Sequence, residues 1–301
     1  MSTSERKRGR LLLLRNEALR RLWATEIWSS AGEALGLIAL PLLVYDRTDS
    51  ARMVGLISLL LILPRVFLSP VAGFLADHAD RRQIMIAAFV ERAVVAAIVP
   101  FTDATWQIGG LAIAMAVGNS FSRPAELSAI PSIAPPESLV QALSLIQVTN
   151  GIIRIAAPAA GAALIAASGP EPIFWIQALA YLASMVVVRK LVIPEDRDIE
   201  HWQLRRVIGI AKTEMWAGLA SIRSVPIVRG VTATESLWQL AGSALVVAGV
   251  VYTKDTLRLG DHAEAAFALM TTSMSAGAVF GATVASILER RIGRARLMAI
   301  G

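Results

Sequence analysis

Apolar residues along this 301-residue chain gather into blocks of about twenty, separated by polar connectors. An α-helix rises 1.5 Å per residue, so a block of about 20 apolar residues matches the ~30 Å hydrocarbon layer of a bilayer. Eight such blocks stand at 22–45, 53–76, 83–101, 106–122, 139–168, 172–192, 228–252 and 264–288. Composition points the same way. The chain is 55% hydrophobic and 17% charged, whereas about 25% of a soluble domain is charged. The expected fold is therefore all-α, a polytopic membrane protein with about eight transmembrane helices.

Charge placement argues about orientation and partners. The 29 basic and 23 acidic residues leave a formal charge of +6, which by itself could suit a nucleic-acid binder. The basic residues punctuate apolar blocks and form no stripe on a soluble face, so the lipid bilayer is the expected partner and no nucleic acid is. With the N-terminus inside, the inside connectors hold Arg81, Arg82, Arg123, the cluster at 189–229 and Arg290, Arg291, Arg294 and Arg296. The outside connectors hold Arg47, Arg52, Lys254 and Arg258. Basic residues concentrate on the cytoplasmic side of membrane proteins, so a cytoplasmic N-terminus in a cell-membrane protein is expected. Residues 1–21 read as a cytoplasmic N-terminal segment. The run Arg6-Lys7-Arg8-Gly9-Arg10 precedes leucines at 11–14 that stop at Arg15, too short for the 7–15 residue core of a cleaved signal.

Several chemistries are not expected. There is no cysteine, hence no disulfide or thiolate site. His78, His201 and His262 lack metal-ligand spacing, and no phosphate-binding Gly-x-x-x-x-Gly-Lys-Ser/Thr loop occurs. No cofactor, metal or enzymatic activity is expected.

The organisation is that of two lobes. Residues 22–192 make a six-helix N-terminal lobe, 193–227 a cytoplasmic amphipathic linker and 228–301 a partial C-terminal lobe. In the linker, Trp202, Leu204, Ile208, Met215, Leu219 and Ile222 interleave with Arg205, Arg206, Lys212 and Arg223, as in an interfacial helix. An internal echo supports the division. Ala31-Gly32-Glu33-Ala34-Leu35 returns 210 residues later as Ala241-Gly242-Ser243-Ala244-Leu245, and each is followed by a tyrosine and a charged connector. The stretch at 75–82 returns at 288–295. Repeated halves with a substrate site between them near the midplane are the architecture of many secondary transporters.

Gly73-Phe74-Leu75-Ala76-Asp77-His78-Ala79-Asp80-Arg81-Arg82 resembles the signature loop between spans two and three of the major facilitator superfamily, with His78 in place of an arginine and Asp80 of a glycine. Arg20-Arg21-Leu22-Trp23, Ala39-Leu40-Pro41-Leu42-Leu43-Val44-Tyr45 and Phe121-Ser122-Arg123-Pro124-Ala125 are similar to the subgroup of enterobactin and macrolide exporters. Asn150-Gly151-Ile152-Ile153-Arg154-Ile155-Ala156-Ala157-Pro158-Ala159-Ala160-Gly161 resembles a degraded antiporter signature, with Ala157 and Ala160 where glycines are common. The resemblance implies a twelve-span bundle of about 400 residues, so the chain reads as C-terminally truncated, lacking helices or needing a partner chain.

Within the loop, Gly73 is expected to let span two approach a neighbour closely. Asp77 is expected to pair with Arg81 or Arg82 or to face a helix dipole, contacts that gate alternating access; the plain reading of Arg82 is a solvated turn. Pro158 is expected to kink span five and Gly161 to permit tight packing.

Ionisable residues inside spans cost ~2.5–3.5 kcal/mol on insertion scales and mark function or a partner. Glu26 and Glu33 share one face of span one, with Ser29 and Ser30 between them; Thr232, Glu235, Gln239 and Ser243 make a similar stripe in span seven. The resemblance puts both spans beside the central cavity and Glu33 where exporters carry an aspartate. Burial favours protonation of a carboxylate, so Glu33 is the expected proton-coupling residue, or else half of a structural pair with an arginine. Glu26 and Glu235 are further candidates, although both lie near span ends from which a side chain can snorkel. Arg65, Arg92 and Arg154 also sit within spans, and Arg154 is expected to bind a glutamate or an anion. Glu91 and Arg92, being adjacent, each need a partner elsewhere. Asn119, Gln147, Asn150, Gln177, Trp238 and Gln239 are candidates for the cavity wall.

The expected function is proton-coupled efflux of a small amphipathic compound (a drug, macrolide or siderophore), its partners being protons and the small-molecule substrate. A transport-inactive membrane protein or interaction subunit is the alternative, and a lipid flippase the third reading.

Overall fold

The computed structural model describes residues 16–194 and 223–253, with individual positions between 209 and 221 and between 257 and 281. Every regular element among them is helical: α1 Glu17–Thr48, α2 Ala51–His78, α3 Arg81–Ile98, α4 Thr105–Ile133, α5 Leu139–Ser168, α6 Glu171–Val188 and α7 Pro226–Val251. Short 3-10 turns extend α3 (Val99–Phe101) and precede α5 (Pro136–Ser138). The expected linker at 193–227 and eighth block at 264–288 fall mostly outside the described residues.

Connectors of a few residues force neighbouring helices to alternate in direction. Asp49 and Ser50 alone join α1 to α2, Asp49 taking a left-handed conformation (φ 48°) with its N–H on the Tyr45 carbonyl, which aspartate tolerates better than most residues. One end of the bundle therefore collects the start of α1, the α2–α3 turn, the α4–α5 connector and the end of α6. Asn16 ties it together: its Oδ1 accepts from Leu19 N (3.2 Å) as the N-cap of α1, and its Nδ2 donates to the last carbonyl of α4, Ile133 O (3.1 Å). At the opposite end Arg47 donates to Pro100 O (3.2 Å) and Thr102 Oγ1 (3.4 Å) and lies 3.7 Å from Glu171.

Among the described residues, α1, α2, α3 with its 3-10 turn, α5 with its preceding turn, and α6 are each long and apolar enough to cross a bilayer. α4 has the length, but Asn119, Ser120, Ser122 and Arg123 dilute its hydropathy. It also overruns the expected block at 106–122, continuing through Arg123 and Glu126 to Ile133. Charged residues at 123 and 126 suggest a span end in the sequence; in the fold they meet an oppositely charged or hydrogen-bonding neighbour and the helix continues.

The core is divided along the membrane normal. One apolar cluster joins Leu35, Leu42, Val54, Ile57, Val99, Ile108, Ile165 and Phe174; the other joins Leu19, Leu22, Met85, Phe89, Ala125, Ile130, Ala142 and Val188. On α1 the first begins at Leu35 and the second ends at Leu22. The polar residues of α1, α3, α4 and α6 occupy the layer between.

Small residues bring helices close at that level. A Cβ on Gly32 would stand 3.3 Å from Ala180 and Tyr181, and one on Gly36 would strike the Gln177 amide. Gly32 and Gly36, four apart on one face of α1, thus let α6 approach in the manner of small-xxx-small helix pairs. Gly118 does the same for α3 against α4, facing the Glu91 carboxyl and lying 2.6 Å, at its Cβ position, from Arg92 Cγ. The close approach expected at Gly73 is absent, since a Cβ there meets nothing within 4 Å among the described residues. Gly161 does face a neighbour, 3.2 Å from Leu35 Cδ2 on α1. α5 passes through Pro158 as one helix from Leu139 to Ser168.

Candidate functional site

The polar layer holds two linked glutamate centres, one helical turn pair apart on α1. Glu33 lies midway along α1. Its Oε1 accepts from Arg65 Nη2 of α2 (2.9 Å) and from Asn119 Nδ2 of α4 (3.0 Å), and its Oε2 lies 3.7 Å from Arg92 Nη2 of α3. The side chain remains 33% exposed and that of Arg65 49%. Arg92 is 2% exposed. It donates to Tyr181 Oη (2.6 Å) and Ser122 Oγ (3.4 Å), and its guanidinium carbon stands 4.1 Å from the Tyr181 ring centre. Gln177 Nε2 also donates to Tyr181 Oη (3.2 Å).

Glu26 anchors the second centre. Its Oε1 accepts from Arg123 Nη1 (2.5 Å) and Asn150 Nδ2 (2.7 Å). The Ser30 hydroxyl stands 3.2 Å from that oxygen and 2.9 Å from Asn150 Oδ1, and donates to one of them at a time. Arg123 Nη1 also reaches Glu126 Oε2 (3.3 Å). Two buried carboxylates therefore share one guanidinium nitrogen. Being buried and ion-paired, Glu26 does not snorkel as its place near a span end suggested. Arg123 reaches inward to it instead.

The expected residues divide as follows. Glu26, Glu33, Asn119 and Asn150 come together, joined by Arg65, Arg92 and Arg123. Gln147 and Arg154, seven apart on one face of α5, are exposed instead. Arg154 forms no ion pair with a described residue, because the glutamates of α1 are engaged by arginines from α2, α3 and α4. α7 carries Glu235, Trp238 and Gln239, whose side chains lie outside the described set. Glu126, Tyr181 and the pairing role of Arg123 were not singled out from the sequence. Arg123-Pro124-Ala125-Glu126 did carry a signal, an acid three residues after a base on a helix.

The signature loop also takes specific partners. Asp80, standing where the resembled signature has glycine, caps α3 by accepting from Gln83 N (3.1 Å). Arg81, buried, donates to Ala76 O (2.9 Å) and Ser132 Oγ (2.6 Å), tying the turn to α4. Arg82 is more than a solvated turn residue: it donates to Val188 O (3.4 Å) and Arg189 O at the end of α6. Asp77 is exposed at the end of α2.

A polar layer thus lies between two apolar clusters in a bundle of membrane-length helices. Comparison with known proteins gives the family. The family described as transmembrane secretion effector matches residues 9–301. The MFS-type transporter YfiS of Bacillus subtilis is 29% identical over 217 residues, covering 71% of this chain and 52% of that protein. The multidrug efflux pump Tap of Mycobacterium tuberculosis is 26% identical over 268 residues, covering 78% and 63%. Macrolide efflux protein A of Streptococcus pyogenes is 26% identical over 182 residues, covering 59% and 45%. The chain thus spans about half to somewhat under two thirds of these relatives. Among solved structures, the nucleoside transporter NupG superimposes with a TM-score of 0.69 at 12% identity, covering 92% of this chain and 69% of that one. A bacterial homologue of the lysosomal transporter Spinster gives 0.62 at 15% identity, covering 92% and 62%. These similarities to solved structures carry the fold. On the family match, the chain belongs to the transmembrane secretion effector family of major facilitator superfamily transporters.

Proposed function

We propose that the chain serves proton-coupled efflux of a small amphipathic compound across the cell membrane by alternating access, with its N-terminus in the cytoplasm. The observation that carries this reading is Glu33, a part-exposed carboxylate at mid-bundle held by Arg65 and Asn119 and facing Arg92. Protonating Glu33 removes the charge that both arginines face. Proton binding and release of Arg65 are then thermodynamically linked, and α2 is freed from α1 at the level where a substrate would sit. Efflux relatives such as Tap and macrolide efflux protein A support the direction of transport and an amphipathic drug or macrolide as substrate. The concentration of Arg20, Arg21, Arg81, Arg82, Arg189 and Lys190 at one end of the bundle supports the orientation.

Inverted membrane vesicles containing the chain test the coupling. With an imposed pH gradient, the parent is expected to accumulate a fluorescent drug. Glu33→Gln is expected to lose that accumulation while keeping membrane insertion and energy-independent counterflow. Undiminished gradient-driven uptake by the variant would remove Glu33 from the role.

A further inference from the structure

A cavity of about 260 Å³ opens between the start of α1 and the end of α6, lined by Arg20, Arg21, Ala24, Val186, Val187 and Lys190. It sits at the basic end of the bundle, at the level where a membrane-length helix leaves the hydrocarbon. Its wall is mostly apolar. Ala24, Val186 and Val187 lie deeper along their helices than Arg20, Arg21 and Lys190, of which Arg20 and Lys190 are exposed.

These cations differ in commitment. Arg21 donates to Glu17 (2.6 Å) and to Lys190 O, so it holds the α1–α6 junction together. Arg20 and Lys190 are exposed and make no ion pair with a described residue. Neither serves the Glu26 and Glu33 centres, which lie deeper in the bundle. Two cations with no ion pair among the described residues, beside a third and next to an apolar surface, suit a ligand with an anionic head and a hydrocarbon tail. A free anion would use the cations and gain nothing from the valines.

We propose that this cleft binds the phosphate headgroup of an anionic phospholipid, with Arg20 and Lys190 on the phosphate and an acyl chain along Ala24, Val186 and Val187. Because Arg82 donates to Val188 O and Arg189 O and Arg21 to Lys190 O, at and just past the end of α6, a lipid seated here braces the junction of α1 and α6 from the membrane side. The proposal rests on the membrane-spanning fold and is independent of the proton-coupling reading.

The test is native mass spectrometry of the detergent-solubilised full chain, titrated with phosphatidylglycerol, phosphatidylcholine or inorganic phosphate, with thermal unfolding in parallel. Phosphatidylglycerol is expected to bind and to raise the unfolding temperature, and phosphatidylcholine and inorganic phosphate to do neither. The double variant Arg20→Ala/Lys190→Ala is expected to bind phosphatidylglycerol about thirtyfold more weakly. Arg52→Ala, an exposed arginine at the other end of the bundle, is expected to match the parent. Equal binding of the two lipids, or a double variant that binds like the parent, would overturn the site. Inorganic phosphate binding as tightly as the lipid would overturn the lipid assignment.

Discussion

Arg92 shows what the polar layer requires of single residues. Its guanidinium is shielded from solvent, and its compensation comes from three other helices: Glu33 on α1, Ser122 on α4 and Tyr181 on α6. Removing Arg92 takes a donor from buried Tyr181 and Ser122 and one of two arginines from Glu33, which keeps Arg65 and Asn119; a buried polar group left unsatisfied costs about 1–3 kcal/mol. Arg92→Leu is therefore expected to lower the thermal unfolding temperature in detergent sharply. Arg65→Leu, on a side chain half exposed, is expected to lower it far less, and equal losses would contradict this ranking. The sequence made the need visible, because Glu91 and Arg92 are adjacent and neither can satisfy the other. It did not name the partners: Tyr181 lies 89 residues away, and a tyrosine among apolar residues carries no sign of the charge it will meet.

Two kinds of small device fix the helices. Glycines set the close approaches, and their effect depends on what faces them. An alanine at position 118 would push into the Glu91 carboxyl and Arg92 Cγ, and overpacking of this kind costs about 1–3 kcal/mol. An alanine at position 73 would meet nothing within 4 Å among the described residues. Gly118→Ala is thus expected to lower the unfolding temperature and Gly73→Ala to leave it near the parent value. Caps set the ends. Asn16 closes the first turn of α1 and grips the last carbonyl of α4. Asn16→Ala is expected to cost about 1 kcal/mol for the cap alone, read as a lower unfolding temperature, whereas Asn16→Ser retains the cap and recovers part of the loss. Helix extents were legible in the apolar blocks to within several residues, except for α4. There Arg123 and Glu126 looked like a boundary because a sequence does not show that Glu26 waits across the interface.

At the scale of the molecule, short connectors and membrane-length helices fix an alternating bundle whose two ends differ in charge. The absence of cysteine makes the resulting topology directly testable. Single cysteines at Asp103 or Glu137, exposed positions in connectors at opposite ends, should label oppositely with a membrane-impermeant maleimide in intact cells: Asp103→Cys reacts and Glu137→Cys does not. The reverse pattern would invert the proposed orientation. Hydrophobic block length and connector length by themselves determined that this chain makes a helical membrane bundle, because lipid leaves no other way to satisfy the backbone of a long apolar segment. The signature around Asp77 and Arg82 carried the resemblance to the superfamily. Only the tertiary structure decided which charges meet. Periodicity places Glu26 and Glu33 on one face of α1, but the rotation and approach of α2, α3 and α4 bring Arg65, Arg92 and Arg123 to them and leave Arg154 outside. The approach of α3 to α4 is set at Gly118 and that of α6 to α1 at Gly32 and Gly36, a property of facing surfaces that no single helix encodes.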